Sequence, residues 1–197
     1  MARAIVIGAT GHIGTYLVPR LVEAGHEVVA VSRGQAEPYQ PHQAWRHVER
    51  RQMDRTALEK DGRFGREIQP LNGDIVIDTI CFTLESAKEL AEALSGRVSH
   101  FLHVGTIWTH GFSAMVPTPE EAPKKPFGEY GVQKAAIEAY LLKKARLEGF
   151  PATLIHPGHI VGPGWNPLNP AGHFNPEVFS VLARGETLIL PNFGLET

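Results

Sequence analysis

The sequence predicts an α/β protein, a doubly wound parallel sheet with helices on both faces. Two observations carry this. Short β-rich apolar runs alternate with helical patterns along the chain, and right-handed crossovers between parallel strands produce that alternation. The first apolar run is followed at once by glycines spaced three apart and then by a helical pattern. That is the order of a strand, a phosphate-binding turn and a helix.

The elements follow in order. Ala4-Ile5-Val6-Ile7 is a continuous β-rich run, the mark of a strand buried on both faces. His12 to Ala24 places Ile13, Leu17, Leu21 and Val22 at helical spacing, with Gly25 as the stop. Pro19 lies inside this helix and should kink it. Glu27 to Val31 is the second strand and 34–44 a loop. Trp45 to Val48 reads as a weak third strand, Thr56 to Lys60 as a short helix, and 61–72 gives no firm pattern. Asp74 to Ile80 is the fourth strand, Leu84 to Leu94 a helix, and Val98 to Val104 the fifth strand. A Pro-rich loop covers 116–126, Tyr130 to Glu148 is the longest helix, and Ala152 to His156 the sixth strand. Beyond Pro157 come prolines and glycines, a helix near Pro176 to Arg184 and a short apolar run at Thr187 to Leu190.

Composition bounds the function. A chain of 197 residues, 43% hydrophobic and 20% charged, has the make-up of one globular domain with at most a short appendage, which excludes a disordered chain, a collagen and a disulfide scaffold. A net charge of -2 gives no basic field for nucleic acid. No apolar run approaches the roughly 20 residues of a spanning helix, so no membrane partner is expected. The start leads straight into a core strand, so no leader is expected either. The single cysteine, Cys81, cannot form an internal disulfide, and a reducing, cytoplasmic home is expected.

Ligands of such sheets bind at the carboxyl ends of the strands. Gly8-Ala9-Thr10-Gly11-His12-Ile13-Gly14 stands at the first of these ends. One glycine allows the tight turn, one lets backbone approach a pyrophosphate, and one lets the helix pack on the sheet. The second strand ends in Ser32-Arg33-Gly34, with no acidic residue to bind a ribose 2′-OH. Arg33 either pairs with the 2′-phosphate of NADP or is a solvated surface residue. The first reading makes NADP the expected cofactor and NAD the alternative. Farther on, Tyr130 and Lys134 lie four apart and share a helix face. By itself such a pair is usually a solvated helix face; with the glycine turn upstream, the other reading is a cation that favours a phenolate and equips a tyrosine for acid/base work.

With these residues in view, the chain resembles the extended and atypical branches of the short-chain dehydrogenase/reductase superfamily, the epimerase/dehydratase type. Four landmarks match in order: GATGHIG at 8–14, FLHVGTIWTHG at 101–111, YGVQK at 130–134 and HPGHIVGPG at 156–164. The resemblance implies a Rossmann-type fold over 1–156 and the start of a substrate-binding region over 157–197. It implies Tyr130 as general acid/base, Lys134 as its tuner and ribose ligand, and Thr106 as the group that orients the substrate oxygen. It places the cofactor against Gly8, Thr10, Gly11, His12, Ile13 and Gly14. Arg33, Asp54, Ile80, Cys81, Lys134 and His156 would complete that site. The activity implied is an NAD(P)-dependent oxidoreductase or epimerase acting on a hydroxyl or carbonyl substrate, a sugar or nucleotide sugar among the options. The alternative is a non-catalytic NADP(H)-binding sensor. RNA binding on this scaffold is disfavoured by the net charge.

The departures from the family are specific. Ile107-Trp108 replaces the Asp-Glu pair of dehydratases, which argues against water elimination. His110 replaces a tyrosine and reads best as a plain loop histidine, while His156 stands in the place of an arginine. Trp108 and Trp165 either line a pocket or cap the core. Cys81 reads as a small buried residue rather than a nucleophile. His103, His110, His156, His159 and His173 have neither helical H-x-x-x-H spacing nor a cysteine partner, so no metal site is expected. Family members continue well past the equivalent of Pro191-Asn192-Phe193-Gly194, so the substrate lobe is expected to be truncated. The family's habit of pairing through two long helices, here 84–94 and 127–148, makes a homodimer an expectation.

Overall fold

The structure is a computed structural model, and it describes residues 1–112, 115, 117–169 and 174–190. The chain divides into two compact units, Met1–Pro157 and Gly158–Thr197.

The first unit holds a parallel sheet of six strands: β1 (Arg3–Ile7), β2 (Glu27–Ser32), β3 (Glu49–Gln52), β4 (Ile75–Asp78), β5 (His100–Val104) and β6 (Ala152–Ile155). Their order is β3-β2-β1-β4-β5-β6. The order reverses between β1 and β4, and Ile7 is in register with both Val31 and Asp78. The crevice at that reversal is where such sheets hold ligands.

Each face has its own core. Alternate side chains of a strand point to opposite faces. Ile5, Ile7, Val29, Val31, Val76 and Phe101 therefore pack on one side, with Phe64, Ile68, Leu90, Ile137 and Leu141 from the helices α3 (Phe64–Ile68), α4 (Leu84–Leu94) and α5 (Gly128–Glu148). Val6, Val28, Ala30 and Ile77 pack on the other, with Val18 of α1 (His12–Glu23) and Trp45. The sheet is thus covered on both faces, as the strand–helix alternation requires. Helix α1 runs on through the buried Pro19. Helix α5 ends at Gly149, which takes the left-handed conformation at φ 69°.

One local reading needs correction, and one open stretch is filled. Residues Gln43–His47 form a 3₁₀ helix that buries Trp45, and the third strand is Glu49–Gln52 instead. That strand is polar because it is the sheet edge and three of its four residues are exposed, so no apolar alternation marks it. The stretch 61–72 holds α3 and a 3₁₀ turn at Gln69–Leu71. Gly65 lets α3 press against α4, since a Cβ there would lie 2.6 Å from the Ala93 Cβ. A further helix, α2 (Arg55–Lys60), starts at Asp54, whose carboxylate accepts from Ala57 N at 3.1 Å.

The second unit contains α6 (Glu177–Ala183). Within it Asn169 is buried and its Nδ2 donates to Asn175 O at 2.9 Å. His173 and the segment from Pro191 onward lie outside the described residues. Among the described residues, no helix is long and apolar enough to cross a membrane.

Candidate active site

The turn after β1 is shaped by its glycines. Gly8 has φ 87°, and a Cβ there would strike the Thr79 hydroxyl and lie 2.7 Å from Ile80. Gly14 lies on α1, and a Cβ there would fall on the backbone of Ala9. The first glycine brings the turn against the loop after β4; the last brings the helix onto the end of β1. Gly11 is the N-cap of α1 and has no side chain to cover the first N–H groups.

A cleft of about 390 Å³ opens over this turn. Gly8, Thr10 and Gly11 form one wall, Ser32, Arg33 and Ala36 the next, and Met53, Arg55 and Thr56 a third; Ile80 and Phe82 close it. Arg33 and Arg55 are the charged residues among those described that line it. Arg33 is exposed, and its backbone carbonyl accepts from Gln52 Nε2 at 3.1 Å.

The other residues singled out for the cofactor lie outside this lining. His12 is buried and stacked on Tyr39, with ring centroids 5.8 Å apart, and its Nδ1 contacts the Tyr39 hydroxyl. It docks the loop after β2 onto α1. Ile13 and Gly14 lie on α1, and Asp54 caps α2. Cys81 is fully buried, and burial pushes its thiol up to about 12. That fits a small core residue and not a nucleophile.

A buried ion pair that sequence reading missed braces two walls of the cleft. Arg55 Nη1 donates to Asp78 Oδ1 at 2.7 Å, Arg55 Nε donates to Glu59 at 2.6 Å, and the guanidinium lies 4.8 Å from the Phe64 ring centroid. Asp78 Oδ1 also accepts from Ile80 N at 3.2 Å. Burial alone would raise the Asp78 pKa, but the adjacent Arg55 outweighs it and holds the carboxyl below its ordinary range. Asp78 was legible only as part of an apolar strand, and its partner Arg55 only as the residue before the short helix read over Thr56 to Lys60, with no spacing that joins the two.

Tyr130 and Lys134 do share a face of α5. Lys134 is 2% exposed, while Tyr130 is 46% exposed. The Lys134 ammonium donates to Val104 O at 2.9 Å, and it sits 5.2 Å from the Phe82 ring centroid and 5.9 Å from that of Tyr130. Burial pushes the Lys134 pKa down, opposed by Cys81 and Asp78. Thr106 follows β5, is 4% exposed, and accepts from Trp108 N at 3.3 Å. The turn it caps, Ile107–Thr109, packs on the start of α5, since a Cβ on Gly131 would lie 3.2 Å from Trp108 O. The anchor of Lys134 and the Thr106 turn thus leave the same strand end. Trp108 stands edge-on to Phe127 at 5.2 Å, half exposed, and does not cap the core.

Beside this turn lies a second network. Lys124 Nζ is 2.7 Å from His110 Nε2 and 3.3 Å from Glu138 Oε1, and His156 Nε2 is 3.3 Å from Glu138 Oε2. Burial works to raise the Glu138 pKa, but His156 and Lys124 bring it below its ordinary value. Burial, with Lys124 in support, lowers that of His110. His110 and His156 are therefore tied into a clasp on the loop that carries Thr106. Sequence spacing offers no hint of it, because Lys124 and Glu138 lie on different elements.

Comparison with known proteins fits this geometry. The NAD dependent epimerase/dehydratase family matches over residues 4–79 and 74–196. The 2'-dehydrokanamycin reductase of Streptomyces kanamyceticus is 31% identical over 136 residues, covering 69% of this chain and 36% of the relative. The dTDP-6-deoxy-L-talose 4-dehydrogenase (NAD(P)(+)) of Kitasatospora kifunensis is 25% identical over 203 residues, covering 94% of this chain and 61% of the relative. A crystal structure of a UDP-galactose 4-epimerase superposes with a TM-score of 0.73 at 25% identity, covering 94% of this chain and 64% of that one. The Bordetella bronchiseptica enzyme WbmG in complex with NAD and UDP shares the fold at a TM-score of 0.73 and 20% identity, covering 95% of this chain and 62% of that one. The chain therefore spans less than two thirds of these proteins. Glycine turn, sheet order and matched span agree: the chain belongs to the NAD dependent epimerase/dehydratase family.

Proposed function

We propose that this chain carries the cofactor site and the proton-transfer residues of an NAD(P)-dependent oxidoreductase or epimerase acting on a nucleotide sugar. The observation that carries the reading is the Tyr130–Lys134 face of α5, with the buried ammonium anchored at the strand end that also bears Thr106. The relatives' names support the substrate class, since they include a deoxysugar-nucleotide dehydrogenase and UDP-sugar epimerases.

The cleft suits a nicotinamide dinucleotide. The first turn of α1, with no side chain at its N-cap Gly11, offers N–H donors to a diphosphate. Arg33 lines the cleft at the end of β2, and a cation there supports NADP over NAD because it can pair with an adenosine 2′-phosphate. A bound nicotinamide ring supplies the hydride acceptor or donor. The protein's own part is proton transfer and alignment. Tyr130 as phenolate takes the proton from the substrate hydroxyl, and as phenol returns it to the carbonyl. Lys134 stabilises negative charge on the Tyr130 oxygen and holds the cofactor ribose. The Thr106 hydroxyl donates to the reacting oxygen and fixes its direction.

Tyr130→Phe tests this reading. With UDP-galactose and related nucleotide sugars as substrates, turnover should fall about 10²–10⁴-fold while dinucleotide binding is unchanged. Unchanged turnover would refute the role of Tyr130. Dinucleotide binding by a wild-type chain that turns over none of these sugars would favour the sensor reading.

A further inference from the structure

Beneath the cofactor cleft the sheet encloses three side chains of metal-ligand type that the proposed reaction does not use. Asp78 ends β4, His103 is its register partner on β5, and Cys81 follows in the loop after β4. All three are buried, at 0%, 1% and 0% exposure for Asp78, His103 and Cys81. One ligand atom from each lies within 4.8 Å of those of the other two. Among the described residues, neither ring nitrogen of His103 has a hydrogen-bond partner, and neither has Asp78 Oδ2. Arg55 and Ile80 N occupy only Oδ1 of that carboxylate. Groups buried in this state cost about 1–3 kcal/mol each, so a structure that keeps several together calls for a ligand between them.

We propose that Asp78, Cys81 and His103 form a binding site for a divalent cation of the zinc class. The donor set is one imidazole nitrogen, one sulfur and one carboxylate oxygen, all suited to zinc, with one tetrahedral position left over. Ligand bonds of about 2.0–2.3 Å put donor atoms roughly 3.5 Å apart around such an ion. The observed spacing, within 4.8 Å, is wider than this, so closure on an ion draws the donors inward.

The cluster also feels buried cations: Arg55 beside Asp78, and Lys134 within electrostatic range of Cys81 and His103. As the sulfur–metal bond forms, the Cys81 thiol gives up its bond to Thr83 O and releases its proton to solvent. The dication then meets one carboxylate and one thiolate, while Glu59 continues to balance Arg55. The ion would tie β4 to β5 and fix the loop that presents Ile80 to the cleft. This inference does not depend on the proposed reaction.

The test uses the full chain, stripped with a chelator and titrated with Co²⁺ and then Zn²⁺. Cys81 is the chain's one cysteine, so a thiolate-to-cobalt charge-transfer band reports this site alone. The expected result is one equivalent of Co²⁺ with that band, displaced by Zn²⁺. Cys81→Ser should abolish the band and weaken Zn²⁺ binding more than about 100-fold, beyond the 10–100-fold typical of outer-shell changes. A folded wild-type chain that shows no such band at saturating Co²⁺ would overturn the proposal. Zn²⁺ binding left unchanged by Cys81→Ser and by His103→Gln would overturn it too. If Cys81→Ser does not fold, the wild-type band decides alone.

Discussion

Replacing Arg55 by Met isolates the energetics of the cleft. Asp78 is fully buried, and Arg55 supplies its one ionic partner among the described residues. Removing one member of a buried pair strands the other charge in a medium that cannot solvate it, at about 3–5 kcal/mol. Taking about 4 kcal/mol and a urea m-value near 2 kcal/mol/M, the unfolding midpoint should fall by about 2 M. The double variant Arg55→Met/Asp78→Val removes both charges and keeps the summed volume close to the original. Such swaps are often neutral or stabilising, so its midpoint should return to within about 0.5 M of the wild type. The assay is urea denaturation followed by circular dichroism, with chelator present throughout. A single variant that shifts the midpoint by less than about 0.5 M would refute the reasoning, because Asp78 would then not depend on Arg55.

Three further outcomes are expected. Gly14→Ala should lower stability by about 1–3 kcal/mol, since the added Cβ falls on the Ala9 backbone and neither segment can retreat without repacking; thermal unfolding measures it. Arg33→Ala should weaken NADP⁺ about 10–100-fold, the worth of a charge-assisted pair, and leave NAD⁺ unchanged in the same titration. Glu138 has a folded-state pKa below its ordinary value, so its contribution is full above the ordinary carboxylate range and is lost as pH falls through the lower, folded value. Glu138→Gln should therefore reduce the drop in melting temperature between pH 6 and pH 3; a drop of the same size in both proteins would count against the clasp.

The parts of this fold that were legible are those where burial writes a pattern. Ile5, Val6 and Ile7 are buried on both faces and read as one apolar run. The glycine turn was legible because its spacing is a steric requirement that the structure shows at Gly8 and Gly14. Strand β3 was misplaced because an exposed edge selects Arg and Gln, leaving no alternation, while the apolar Trp45 beside it packs from a 3₁₀ turn. Helix α3 was hidden because its close packing on α4 requires a glycine, the residue that sequence reading counts as a breaker. At the candidate site, Tyr130 and Lys134 were legible as a pair four apart on a helix, and Thr106 as what the family resemblance implies; their roles stand as proposals. The Arg55–Asp78 brace and the Lys124–Glu138–His156 clasp were not legible, because each joins residues on separate elements. For the same reason Cys81 and His103 read as unrelated until β4 and β5 placed them together.

The central claim is that the cleft over the β1 turn receives a nicotinamide dinucleotide. Calorimetric titration of the folded chain with NADP⁺, and separately with NAD⁺, tests it most directly. One dinucleotide should bind per chain, NADP⁺ more tightly than NAD⁺. A chain folded by circular dichroism that takes up neither dinucleotide would contradict it.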